Sequence, residues 1–173
     1  MPIPYDSVKT VSASFVRPAN TTAYSVNDVL SGATSSGTAM TFLNAARDLG
    51  GGGYITDVMI VDSAYSATAT TFDLFLFNTN PTTAINDNAS FQPTDAELAN
   101  VSTVININTP SAGSATIGAA GNRLFETNGV NRQFVCADSS SDLYGVLVAR
   151  TAYNPISAEE FTVRLKIMED TSR

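Results

Sequence analysis

The residues able to do chemistry are few, and one type is missing. No histidine occurs among the 173 residues and Cys136 is the single cysteine. Histidine is the commonest general base and metal ligand, so Ser-His-Asp and Cys-His mechanisms and histidine-ligated zinc or iron are excluded. Cys136 sits in the strand-like run Gln133-Phe134-Val135-Cys136-Ala137 with no base beside it to lower its pKa, which reads as a small buried hydrophobe. Glu159 and Glu160 are adjacent carboxylates. In a strand they point to opposite faces, and outside one they form a solvated loop; neither arrangement places an acid/base pair across one bond. Distant carboxylates such as Asp57, Asp62 or Asp73 could still assemble a glycosidase pair. Asn86-Asp87-Asn88 and the run Asp138 to Asp142 offer oxygens to a hard cation, although Asn and Asp serve turns equally well. Gly50 to Gly53 precede Tyr54-Ile55 without a Lys-Ser/Thr pair, so they read as a turn and not a phosphate loop. The expectation is a protein that is not an enzyme and takes no cofactor.

Charge excludes further classes. Nine basic and sixteen acidic residues give a net charge of −7, and the basic ones are scattered. Phosphate binding needs clustered Lys and Arg, because affinity grows with each counterion released. Nucleic acid and anionic membrane surfaces are therefore not expected partners. No apolar stretch approaches the ~20 residues of a membrane span. The opening Met1-Pro2-Ile3-Pro4-Tyr5-Asp6 has neither a basic nor an apolar signal region, so folding in a cytoplasm is expected. Sequons at Asn20, Asn88 and Asn100 follow from a Thr/Ser/Asn-rich composition.

The elements that must position these residues are short apolar or alternating runs between Gly, Pro, Asn and Ser clusters. Strands are expected at 8–16, 24–30, 38–42, 54–61, 70–78, 101–107, 130–137, 143–150 and 161–168. In the first, Val8 and Thr10 face away from Val11, Ala13 and Phe15. Thr94 and Glu97 match a capping box, so one short helix is expected at 94–99. Only 14% of residues are charged and 43% are hydrophobic, which suits sheets better than helix surfaces. The expected fold is an all-β, jelly-roll-like antiparallel sandwich of about eight strands with one short helix. It occupies residues 8–173 as a single domain behind an extended arm at 1–7.

Two segments are candidates for contact with other subunits. Pro2 and Pro4, with Ile3 and Tyr5, favour an extended arm of the kind that reaches onto a neighbouring subunit, the alternative being a frayed terminus. In TTFDLFLFN, Leu74 and Leu76 share one face while Phe75 and Phe77 share the other, so the strand calls for burial on both sides. Tyr5, Tyr54, Tyr65 and Tyr153 are the aromatics from which a sugar-stacking platform could be built, in a chain without tryptophan.

Several segments together resemble small virion proteins of tailed bacteriophages. They are Phe15 to Tyr24 (FVRPANTTAY) with Asp28-Val29-Leu30, and Leu74 to Asn78 with Pro81-Thr82 and Asp87 to Phe91. Leu143 to Arg150 (LYGVLVAR), Tyr153-Asn154-Pro155 and Phe161 to Leu165 complete the set. The resemblance implies a head decoration, or cement, protein that braces major capsid subunits on the capsid exterior. It further implies a homotrimer assembled into virions in the host cytoplasm. It carries no residue with an assigned role. The alternative reading is a receptor- or carbohydrate-binding module of a phage tail or fibre, a job that jelly rolls also perform.

Overall fold

A computed structural model describes residues 8–64, 70–108 and 122–170. The arm at 1–7 lies outside them. Nine strands are present among the described residues: β1 (Val8–Val16), β2 (Val29–Leu30), β3 (Met40–Phe42), β4 (Gly52–Asp62), β5 (Phe72–Phe77), β6 (Val101–Ile107), β7 (Arg123–Val135), β8 (Leu143–Ala149) and β9 (Glu160–Glu169). A single helical turn, α1 (Asp95–Leu98), precedes β6.

One sheet runs β1-β9-β4-β7 and the other β2-β8-β5-β6, with β3 also paired to β8. Every pairing is antiparallel. β2 meets β8 at Val148 and Leu147 while β3 meets it at Gly145 to Leu143, so the two are halves of one broken edge strand. Counted as one, they leave eight strands in the orders 1-8-3-6 and 2-7-4-5. That is a jelly roll, as the spacing of short strands leads one to expect.

Alternation builds the core between the sheets. In β9, Phe161, Val163, Leu165 and Ile167 turn inward while Arg164, Lys166 and Met168 face out. Phe72 of β5 meets the rings of Phe125 and Phe161 from the opposite sheet edge-on, at 5.2 and 5.9 Å between centroids. Such offset geometries add roughly 0.5–1.5 kcal/mol each beyond area burial.

Three elements differ from the sequence expectation, each for a local reason. The expected strand at 24–30 shrinks to Val29–Leu30 because Asn27 takes φ 74° and the Asp28 carboxylate accepts from the Ser25 amide at 2.6 Å. Tyr24 and Asp28 keep isolated bridges to Tyr153 and Ser90. Of the four glycines, Gly50 makes the left-handed turn (φ 65°), whereas Gly52 and Gly53 begin β4. A Cβ on either would lie within 2.5 Å of a carbonyl oxygen on a flanking strand. β7 begins at Arg123, seven residues before the apolar run that announces it, and absorbs a bulge through Gly129 (φ 66°) and Asn131 (φ 46°) opposite Ile55–Asp57.

The helix has the expected capping box, with the Thr94 side chain accepting from the Glu97 amide and Glu97 reaching back to the Thr94 amide. Glu97 does more than cap. Its carboxylate also accepts from the Thr82 amide (2.8 Å), the Thr83 amide (2.7 Å) and the Thr83 hydroxyl (2.6 Å). Hydrogen bonds from Thr83 and Thr94 hold it well below the usual carboxylate range. One side chain thus pins the 78–92 connection to α1. Glu97→Ala leaves those donors without their acceptor and is expected to destabilise by about 1–3 kcal/mol, checked by urea denaturation.

Candidate functional site: a buried charge network and an apolar end

Pro18 ends β1 sharply, and the residue before it, Arg17, turns into the protein. Its side chain is fully buried and lies 3.3 Å from Asp87 and 3.6 Å from Glu159, both also fully buried. Nη1 donates to the Ile156 carbonyl at 3.2 Å and Nε donates to the Tyr24 hydroxyl. That hydroxyl in turn donates to Asp87, which also accepts from the Ser31 amide at 3.1 Å. The guanidinium lies 4.7 Å from the Tyr24 ring centroid, and Tyr24 stacks on Tyr153 at 4.9 Å. Burial raises the pKa of both tyrosines, so they stay neutral donors. Four chain segments, near 17, 24–31, 87 and 153–159, meet on one cation.

Asp62, at the end of β4, is buried alongside this network, opposite Arg123 of β7 in register. Burial pushes its carboxyl up to about 7, against the Ala64 amide that donates to it at 2.9 Å. Burial likewise raises Glu159. These groups adjust fold stability. Cys136 is buried too, with its thiol pushed up to about 11 by that burial. It is a poor nucleophile.

Several other carboxylates named from sequence are engaged by groups of this chain. Asp73 pairs with Arg150 and accepts from Asn106, and Asp57 pairs with Lys166 at 3.7 Å. Asp87, from the first cation-candidate loop, is spent on Arg17, and Asn88 of that loop donates to the Thr22 and Ala23 carbonyls. In the second loop Asp142 accepts from the Asn44 amide at 2.7 Å. Among the described residues no three His, Cys, Asp or Glu side chains are grouped to hold a metal ion. Glu159 and Glu160 do part company, but Glu159 is a buried ion-pair partner and not a solvated residue.

Leu74, Leu76 and Phe77 are fully buried within the chain, and Phe75 is half-buried. The second face of that strand is covered by the 78–92 connection. Phe77 packs with Val29, Ile85, Val146 and Val148 in a small second core, with Phe75 and Phe91 against it. The ring centroids of Phe75 and Phe91 lie 4.9 Å apart. This cover buries Phe77 and leaves Phe75 half-buried. Pro2, Ile3, Pro4 and Tyr5 lie outside the described residues, as does Tyr65. Tyr153 is buried, and Tyr54 is 42% exposed.

Exposed apolar side chains gather at one end of the sandwich. Val8, Met168 and Tyr54 are neighbours in register across β1, β9 and β4, and Val135 faces Gly52 at the end of β7. Leu43 and Leu49, 63% and 61% exposed, stand on the 43–51 loop that crosses between the sheets at the same end. Tyr54 and Val135 also line a groove of about 390 Å³, together with Arg47, Asp48, Gly50 to Gly53, Gln133, Phe134 and Asp170. No spacing in the sequence announces this surface, because its members come from five separate segments.

Fold and site together define a jelly-roll β-sandwich with an apolar end and no assembled catalytic group among the described residues. No family model matches the chain, and no curated protein matches it. Among solved structures it is similar to the capsid of Ralstonia phage GP4, with a TM-score of 0.44 and 13% identity over 99% of this chain and 90% of that one. It is similar also to a full particle of Israeli acute paralysis virus, with a TM-score of 0.31 and 12% identity over 98% of this chain and 76% of that one.

Two outcomes test the buried network. Arg17→Met leaves Asp87 and Glu159 without their cation and is expected to cost about 3–5 kcal/mol in denaturant unfolding. For Asp62 the folded pKa lies above the unfolded value, so the folded state holds the proton more tightly. Its contribution is present at low pH and is lost as pH rises from about 4 to about 7. Asp62→Asn should remove that fall, so the stability difference between variant and wild type grows in favour of the variant across this window.

Proposed function

We propose that this chain is a structural virion protein, a decoration or cement protein that braces major capsid subunits on the exterior of a phage head. The observation that carries the reading is the exposed apolar end on a jelly roll whose buried charges are engaged internally. Such a molecule has little to offer a small substrate, and its largest unsatisfied feature is surface that water does not favour. Jelly rolls serve capsids among other roles, so the architecture is compatible with the reading and does not by itself carry it. The segments that resemble tailed-phage virion proteins add to it, from Phe15-Val16-Arg17-Pro18 through Leu143 to Arg150.

In this reading the protein is a homotrimer whose partner is the major capsid protein, and neither nucleic acid nor membrane is involved. Residues 1–7 reach toward a neighbouring subunit. The 8–173 sandwich is the folded unit, assembled onto shells in the host cytoplasm. Purified protein is expected to elute as a trimer in size-exclusion chromatography with light scattering. It should also bind undecorated shells of the phage that encodes it to saturation and raise their disruption temperature. A monomer would remove the trimer from the proposal, and failure to bind the shells would remove decoration.

A further inference from the structure

The edge of a β-sheet presents unpaired amides and carbonyls, and folded chains usually guard such edges with breaks, bulges, charges or proline. Among the described strands, three of the four edges here are guarded. The β2/β3 edge is broken into pieces of two and three residues. β6 shifts register against β5 at Leu76/Phe77, and β7 shifts register against β4 while exposing Glu126 and Arg132. β1 has none of these devices. It runs nine residues in unbroken register with β9, without proline, and its single charged side chain, Lys9, is paired with Glu169.

The Arg17 amide donates to the Glu159 carbonyl at 2.9 Å, in step with the β1–β9 register. Hydrogen-bonding direction alternates along a strand, so the odd-numbered residues of β1 face β9. Val8, Thr10, Ser12, Ser14 and Val16 therefore aim their amides and carbonyls at the open edge, and no backbone group among the described residues pairs with them. Their side chains are exposed as well. A groove of about 270 Å³ adjoins Ser14 and Phe15 and is otherwise lined by the 32–40 segment. A Cβ on Gly32 would lie 3.3 Å from the Val16 carbonyl oxygen, so the missing side chain keeps that acceptor open.

We infer that β1 pairs antiparallel with β1 of a second copy about a two-fold axis at Ser12, which joins two four-stranded sheets into one. Self-complementarity selects this occupant, because a two-fold contact needs a surface that matches its own inverse. On the exposed face of β1 Val8 lies opposite Val16 of the second copy, Thr10 opposite Ser14, and Ser12 opposite itself. The exposed valines, at 56% and 52%, cover each other at both ends of the seam, with hydroxyl pairs between them. On the other face Val11 meets Ala13 and Lys9 meets Phe15, so no charge opposes its like. Val11, Ala13 and Phe15, half-buried against the core, gain cover. The outward charges Glu160, Arg164 and Lys166 stand back on β9. Across the seam they are three strand spacings from their counterparts, ~14 Å, beyond the ~8 Å over which charge acts at physiological salt. The pairing satisfies about ten backbone hydrogen bonds. One strand pair is a small interface, so it is weak between free copies and forms as they are concentrated. It is independent of the decoration reading, and being two-fold it joins copies, or trimers, in pairs.

The test is oxidative cross-linking of concentrated protein, read on non-reducing gels. Wild type, whose one cysteine is the buried Cys136, gives the background. Ser12→Cys should yield a covalent pair of chains, because the axis sets that residue ~5.5 Å from its own copy between α-carbons, within disulfide reach. Thr10→Cys alone should yield about tenfold less, since its counterpart lies four residues along the seam, ~13 Å away. Mixing Thr10→Cys with Ser14→Cys should restore the cross-link. Light scattering over a concentration series should show the wild-type mass rising toward twice its dilute value. Ser12→Lys sets two lysines face to face and should hold the dilute value, with an unchanged melting temperature because the site is exposed. No cross-link at Ser12→Cys, or equal cross-linking at Thr10→Cys, would overturn the pairing. So would a mass that does not rise with concentration, or a rise that Ser12→Lys leaves intact. None of these results bears on binding to shells, so decoration stands or falls by its own test.

Discussion

The structure depends on the burial of one cation. Removing a guanidinium from water costs several kcal/mol, and the Arg17 site is tolerable only because two carboxylates, a tyrosine hydroxyl and a backbone carbonyl converge on it. Those groups come from three different stretches of chain. The exit of β1, the turn at 24–31, the return of the 78–92 connection and the approach to β9 are all held by a single side chain. Hydrophobic burial is non-directional and would accept other loop arrangements. The charge network accepts few, because a misplaced loop leaves a buried ion without its partner.

The rest of the molecule is arranged around that knot as two cores. The main one lies between the sheets and follows strand alternation. The smaller one lies outside the second sheet, where Ile85 and Phe91 of the long connection cover Phe75 and Phe77. Glu97 fixes this cover from one side and Asp87 from the other. The connection is therefore a third layer with its own polar fastenings. The apolar end has no such cover among the described residues, and the contrast between the two surfaces sets them apart.

Much of the fold was legible in the sequence, because strand alternation and turn residues are local signals. Val101 to Ile107 and Val8 to Val16 read directly from their runs, and the capping box placed α1. The start of β7 did not, since Arg123-Leu124-Phe125-Glu126-Thr127-Asn128 is half polar and becomes strand only by pairing with β4. The functional features were the least legible. Arg17 beside Pro18 reads as turn chemistry, and Asp87 between two asparagines reads as a loop; nothing in their spacing of seventy residues says that they meet. The Leu74–Phe77 strand was legible as two-faced, but sequence does not say whether the second face meets another subunit or a returning loop.

The pairing of β1 with β9 joins residues 8–16 to residues 160–168. During synthesis the first strand leaves the ribosome long before its neighbour exists. A contact so distant along the chain is slow to form, because closing the intervening loop must precede any reward from pairing. The second sheet, made from β2, β3, β5, β6 and β8, is complete before β9 emerges. The first sheet, and Glu159 with it, must wait for the last segment. Until then β1 has no neighbour to pair with, and Thr10, Ser12 and Ser14 on one face and Lys9 on the other keep it hydrated while it waits.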